Sequence, residues 1–170
     1  MKTIVAVDKC WGIGKNNDLL FSLPEDMKFF RQTTSGKVVV MGSNTLKSFP
    51  GGNPLKNRTN IVLYPGGDKR DDCTIVDSIE ELKDTLSLYP SDDTYVVGGA
   101  YFYKTMIDYC DTAHITKVDA DGEATVFFPN LDDKPNWTCV EVSEPIETNG
   151  LIIRFCTYSN CDVKPLSELK

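Results

Sequence analysis

The chain is poor in the side chains that most enzyme classes rely on. It has one histidine, His114, in 170 residues, and its six cysteines (Cys10, Cys73, Cys110, Cys139, Cys156 and Cys161) have no paired metal-type spacing. His114 lies in a strand-like run with no acid or serine at triad spacing. Histidine-based metal sites and hydrolase triads therefore have little to build on, no metal is expected, and His114 reads as structural. The scattered thiols read as small buried hydrophobes or idle groups of a reducing compartment. No apolar run approaches the length of a bilayer crossing. The N-terminal run Thr3-Ile4-Val5-Ala6-Val7 is halted by Asp8 and Lys9, too short for a signal-peptide core. A cytoplasmic protein with no membrane partner is expected. Net charge is −7 and no Lys/Arg stripe with interleaved aromatics is present, so a nucleic-acid partner is not expected. Repeats, low-complexity tracts and linkers are absent too. At this length one domain is expected, residues 1–159, followed by a loose polar tail over 160–170.

What the chain does have is ordinary globular composition, 41% hydrophobic and 25% charged, which excludes disordered and collagen-like classes. Short β-branched runs recur at Thr3–Val7, Lys37–Met41, Thr59–Leu63, Cys73–Val76, Thr94–Val97, Thr112–Val118, Thr138–Val142 and Leu151–Tyr158. The central runs are continuously apolar, as expected of strands buried on both faces. Helical patterns fall between them at Leu23–Thr34, Asn44–Ser48, Ser78–Leu88 (capped by Ser78, with Glu81 three on) and Ala100–Tyr109. The alternation predicts an α/β domain with a mainly parallel sheet. No helical pattern separates the last two strands, and Glu147-Thr148-Asn149-Gly150 is a hairpin signal, which makes the sheet mixed. Asp8–Asp18, rich in glycine and asparagine, is expected to be a mobile flap.

One acid stands out. Ser22 and Glu25 have capping-box spacing and Pro24 suits a first turn, so a helix opens here with Asp26 in it. Helical steps from Asp26 reach Phe29, Phe30 and Thr33, which puts a carboxylate on a face with aromatic rings. Alone, Asp26 reads first as a solvated first-turn acid favoured by the helix dipole, ahead of the reading as a group awaiting a ligand. Two strand-to-helix junctions, Gly42-Ser43-Asn44-Thr45 and Gly98-Gly99-Ala100-Tyr101, offer free amides at helix starts, beyond the carboxyl ends of strands where α/β sheets bind ligands. Neither is a GxGxxG or Walker sequence, so Rossmann and P-loop assignments do not apply. Each alone is an ordinary tight turn, and the pair suggests a dinucleotide. Arg58, before a buried strand, is either a surface residue or a fork for a ligand carboxylate.

Taken together, these segments resemble bacterial dihydrofolate reductases. The resemblance is carried by Ala6-Val7-Asp8 with Ile13-Gly14-Lys15, by Leu23-Pro24-Glu25-Asp26-Met27-Lys28-Phe29-Phe30-Arg31, and by Val40-Met41-Gly42-Ser43-Asn44-Thr45. Asn57-Arg58-Thr59-Asn60-Ile61-Val62-Leu63, Val97-Gly98-Gly99-Ala100, Phe127-Phe128-Pro129 and the closing hairpin complete it, in order through Tyr158. It implies a three-layer domain with a central eight-stranded mixed sheet, a C-terminal antiparallel hairpin and four flanking helices. The implied activity is NADPH-dependent reduction of 7,8-dihydrofolate to tetrahydrofolate in one-carbon metabolism, by a monomer that antifolates would target.

The resemblance also assigns residues. Asp26, Thr116 and Phe21 form the catalytic set. Val5, Ala6, Asp26, Met27, Phe30, Phe49, Leu55, Arg58, Val97 and Thr116 bind substrate, with Arg58 on the glutamate α-carboxylate. Ala6, Ile13, Gly14, Leu19, Gly42, Ser43, Asn44, Thr45, Leu63, Tyr64, Val97, Gly98, Gly99, Ala100, Tyr101, Phe102 and Tyr103 line the cofactor, with the Gly98–Gly99 peptide cis. Four positions depart from the family's habit: Leu20-Phe21 for Pro-Trp, Ser43 for an arginine that meets the 2′-phosphate, and Tyr64 for a small hydroxyl residue. Lys69 or Arg70 are candidates to replace the missing charge. Two competing readings share the scaffold: a related pteridine or pyrimidine reductase, and a non-catalytic nucleotide-binding module. Arg58 and the Phe30/Phe49/Leu55 slot suit a long ligand ending in a carboxylate, which disfavours the first. Retention of Asp26, Thr116 and Arg58 together disfavours the second.

Overall fold

Continuous apolar runs become the middle of a sheet. In the computed structural model, which describes residues 1–170, the elements in chain order are β1 (Lys2–Val7), β2 (Gly12–Gly14), α1 (Pro24–Thr34), β3 (Val38–Gly42), α2 (Ser43–Ser48), β4 (Thr59–Leu63), β5 (Thr74–Val76), α3 (Ile79–Leu86), β6 (Thr94–Gly98), α4 (Ala100–Met106), β7 (Thr112–Val118), β8 (Val126–Phe127), β9 (Trp137–Val142), β10 (Ile146–Thr148) and β11 (Leu151–Asn160). The main sheet runs β10-β11-β7-β1-β6-β3-β4-β5, and β9 also pairs with β11. β10 lies along Leu151–Ile153 and β9 along Cys156–Asn160, so these two short strands fill the outermost of eight positions in turn. Pairing is parallel from β7 through β5 and antiparallel at the β11 edge, which makes it the expected mixed sheet.

Alternation along β3 sends Val38 and Val40 into one core cluster and Val39 and Met41 into another. Both faces are therefore covered, which is why the run carries no polar residue. α3 starts as expected, with the Ser78 hydroxyl accepting the Glu81 N–H at 3.1 Å.

Three expectations need correction. α1 is capped at Leu23 with no side-chain bond, so Ser22 and Glu25 form no capping box. Instead the hydroxyl of Thr148, on β10, accepts the Glu25 N–H at 3.2 Å. The stretch 8–18 is only partly open: Gly12–Gly14 form β2, which pairs antiparallel with β8, and only residues 16–18 of this segment and Lys9–Cys10 are exposed. The polar end of the chain is docked rather than loose. Asn160 is buried with its amide on the Cys110 carbonyl, Lys164 N–H donates to Asp108 O, and Leu169 is only 2% exposed. Its polarity misleads because backbone bonds hold it in place.

Candidate active site

β7, β1, β6 and β3 lie side by side in the sheet, and α1 is tied to mid-β7 through the bond between Asp26 and Thr116. Asp26 in the first turn of α1 is half-buried, and its Oδ1 accepts the Thr116 hydroxyl hydrogen at 2.6 Å. Thr116 is 2% exposed and pairs in register with Ala6 of β1, so a central strand fixes the acid's partner. Burial raises the Asp26 pKa above the ordinary carboxylate value, and the Thr116 bond opposes that rise. Tyr103 on α4 is buried, its hydroxyl donates to the Ile4 carbonyl at 2.8 Å, and burial together with the Asp26 charge pushes its own pKa up.

The α2–β4 connection adjoins the C-terminal end of α1, where Gly36 N–H donates to Asn57 O and the Asn57 amide to the Ser35 hydroxyl. Arg58 stands over the Phe30 ring at 5.8 Å, which joins this connection to α1. It forms no salt bridge, its Nε is buried without a partner, and burial with the nearby Arg31 charge lowers its pKa. A buried guanidinium nitrogen with no acceptor costs free energy that an arriving anion would offset. Phe49, Leu55 and Val97 pack against the Val39/Met41 cluster with part of each side chain uncovered. Ala6 and Phe21 border the Leu23 cluster, and Val5 and Ile13 border the largest one. These residues are half-exposed between core clusters, as an apolar slot for a flat ligand requires. Met27 is more open, at 62% exposure.

The two small-residue turns meet as neighbours. β3 and β6 run in parallel with Met41 opposite Gly98. A Cβ added to Gly98, whose φ is 139°, would lie 3.0 Å from Thr45 Oγ1, and one on Gly99 would lie 3.3 Å away. The Gly98–Gly99 peptide is cis, and neither α2 nor α4 has a side-chain cap. Bare backbone and uncapped amides thus face one another across the turn pair.

The same geometry recurs in characterised proteins. The family model for dihydrofolate reductase matches residues 1–160. The chain belongs to the dihydrofolate reductase family. It is 37% identical over 158 residues to dihydrofolate reductase of Bacillus subtilis, covering 91% of both chains. It is 34% identical over 125 residues to that of Haemophilus influenzae, covering 74% of this chain and 73% of the other. The solved structure of dihydrofolate reductase from Enterococcus faecalis, complexed with NADP(H) and RAB-propyl, matches with a TM-score of 0.82 at 31% identity, over 95% of this chain and 96% of that one. Family members are oxidoreductases that reduce 7,8-dihydrofolate with a hydride from NADPH, and this chain is one of them.

Against that family, the chain's own departures take physical form. Phe21 and Leu20 rest on Gly122, where an added Cβ would come within 3.0 Å of Phe21 Cζ and 2.8 Å of Leu20 Cδ1. Lys69 and Arg70, the candidates to replace the charge missing at Ser43, each have protein partners. Lys69 Nζ is bonded to Ile75 O at 2.7 Å and Glu81 at 3.1 Å, and Arg70 is forked onto Asp72. Lys47, exposed and without an ion pair, stands 4.7 Å over the Tyr64 ring instead. Tyr101 and Leu19 are exposed, whereas the Phe102 side chain is buried in the core and leaves only its backbone near the turn. His114 lies edge-on to Phe29 and stacked on Tyr95, and burial lowers its pKa, in keeping with its structural reading.

Asn60 has a part that its position in the sequence did not reveal. It is buried in β4, its Oδ1 accepts the Leu55 N–H at 3.0 Å, and its amide donates to Leu55 O and Arg58 O at 2.9 and 3.2 Å. It therefore shapes the loop that carries the slot wall and the guanidinium. An asparagine inside an apolar strand run was the available signal.

Proposed function

We propose that the chain converts 7,8-dihydrofolate to 5,6,7,8-tetrahydrofolate in the cleft between α1 and the Leu55–Arg58 wall, with the residue roles that follow. The observation that carries this reading is the half-buried Asp26 bonded to Thr116, facing a slot whose other wall holds the unpartnered Arg58 Nε. Asp26 Oδ2, which no protein donor occupies, accepts N–H groups from the amidine edge of the pteridine. Thr116 holds the acid in orientation through Oδ1. Charge on Asp26 raises the basicity of the ring system it binds, and the acid orients a water toward the ring nitrogen that must take a proton. Phe30, Phe49, Leu55 and Val97 grip the aromatic rings and exclude bulk water, as does Phe21, which replaces an indole donor with apolar surface. Arg58 takes the glutamate α-carboxylate as a bidentate fork.

The turns fit a dinucleotide, because a Cβ at Gly98 would fill the cradle against Thr45. When bound, NADPH supplies the hydride. Ala6 and Ile13 offer backbone groups to its carboxamide end. Asn44, Thr45 and Tyr101 flank its pyrophosphate, and Lys47 beside Tyr64 is the cation left to meet a 2′-phosphate. We place the enzyme in the cytoplasm as a monomeric single domain, with no nucleic-acid partner and with this cleft as an antifolate target. Its net charge of −7 and six free thiols support that placement.

Absorbance at the reduced-nicotinamide band with dihydrofolate tests the reading. Wild type turns over rapidly, and Asp26→Asn loses about 10²–10⁴-fold, partly restored at low pH where substrate arrives protonated. An inactive, folded wild type overturns the function; a fully active Asp26→Asn overturns only the role of Asp26.

A further inference from the structure

Asp8 is a buried acid to which the proposed roles give no contact with substrate or cofactor. Only 3% of it is exposed, at the end of β1 where the chain turns toward β2. Its Oδ1 accepts the N–H groups of Cys10 and Gly12 at 2.8 and 2.7 Å, and its Oδ2 accepts the Gly122 N–H at 3.0 Å. No cation pairs with it, since the neighbouring Lys9 bonds to Asp119. The charge is met by backbone donors from two segments far apart in sequence, and nothing is left over for substrate.

The approach is close at both ends. A Cβ on Gly12 would lie 2.9 and 3.0 Å from the Asp8 oxygens and 2.3 Å from Ala124 Cβ. Gly122, at the other end of the carboxylate, supports Leu20 and Phe21. Between the two anchors Gly14 O accepts the Thr125 N–H at 2.9 Å, and Trp11, at φ 63°, is buried against Phe128 and Tyr158. Ile13 is thus held between Gly12 and Gly14, both fixed to the segment that leads into β8.

We infer that Asp8 is a positioning residue for the reaction: its carboxylate sets the distance between β2 and Gly122, and so fixes the Ile13 backbone at the nicotinamide end of the site. This rests on the reading in which Ile13 faces the nicotinamide carboxamide. Asp8→Asn keeps the shape but turns one oxygen into an NH2 group, which sets donor against donor at either Gly12 or Gly122.

The test measures dissociation constants on the free protein for three probes: NADPH, 2′,5′-ADP (which lacks the nicotinamide half) and dihydrofolate. Asp8→Asn is expected to weaken NADPH about tenfold, as for loss of a charge-assisted bond, while the other two stay within about twofold and the Gly12 and Gly122 amides exchange faster. Unchanged NADPH binding, or equal loss of NADPH and 2′,5′-ADP, overturns the inference. If Asp8→Asn does not fold, wild-type exchange decides: Gly12 and Gly122 amides must open together, and unlike protection overturns it. A folded wild type that binds no NADPH overturns the functional reading itself, whereas wild-type binding alongside an unaffected variant overturns only the part given to Asp8.

Discussion

The Thr116 hydroxyl reaches from β7 to the first turn of α1 and donates to Asp26 Oδ1 at 2.6 Å, a contact between residues 90 apart in sequence. Burial raises the Asp26 pKa and this bond restrains the rise. Thr116→Val keeps the shape and removes the donor, so the pKa climbs further and the ionised fraction falls at any given pH. The acid limb of the pH profile of kcat/KM should move to higher pH, with about a tenfold loss or more along that limb, since hydrogen bonds to charged groups contribute about 1.5–3 kcal/mol. Stability follows the same sign. A folded pKa above the unfolded one means the native state holds the proton, so stability is fully present below about pH 4 and is lost as pH rises through the raised value. Thr116→Val should extend that loss to higher pH, and Asp26→Asn should abolish it, both read from urea midpoints across pH.

Arg58 separates binding from folding. Its Nε has no protein acceptor, and its charge is held beside Arg31 at a cost. Arg58→Met should therefore leave the urea midpoint unchanged or slightly higher. It should raise KM for dihydrofolate about 10–100-fold, the worth of a lost charge-assisted contact, with KM for NADPH unaffected. A pteroate substrate without the glutamate should show no difference between variant and wild type. A marked loss of stability would make Arg58 structural.

Thr148 on β10 stands in for the cap that Ser22 does not provide. Thr148→Val should destabilise the fold by about 1 kcal/mol, typical of a lost helix cap, whereas Ser22→Ala should be neutral. Paired denaturation curves check this, and equal effects would refute it.

Thr148 also shows where the sequence was readable and where it was not. Val38–Met41 announced a buried strand because each residue agrees with burial on both faces. Ser22 and Glu25 had the right spacing for a cap, yet the acceptor comes from residue 148, which no local pattern records. β2 and β8 are three and two residues long and pair through backbone alone, so they leave no periodicity. In the site, Asp26 and Arg58 were legible through the motifs around them. Asn60 and Asp8 were not, because one polar residue beside an apolar run looks the same whether it organises a loop or is merely tolerated. Lys69 and Arg70 looked available for a phosphate until their carboxylate partners were placed.

That leaves Lys47 to discriminate between cofactors. It carries no ion pair, it is held 4.7 Å over Tyr64, and Ser43 brings no charge of its own. If it meets the 2′-phosphate, Lys47→Met should weaken NADPH by up to about fivefold, because exposed ion pairs contribute at most about 1 kcal/mol, and NADH should be unaffected. Raising ionic strength should erase the difference, since a contact between exposed charges is screened within about 10 Å at 0.1 M salt. Fluorescence titration of both nucleotides at two salt concentrations measures it. Equal weakening of NADPH and NADH would place Lys47 elsewhere on the cofactor, and no change would leave neutral donors to provide the preference.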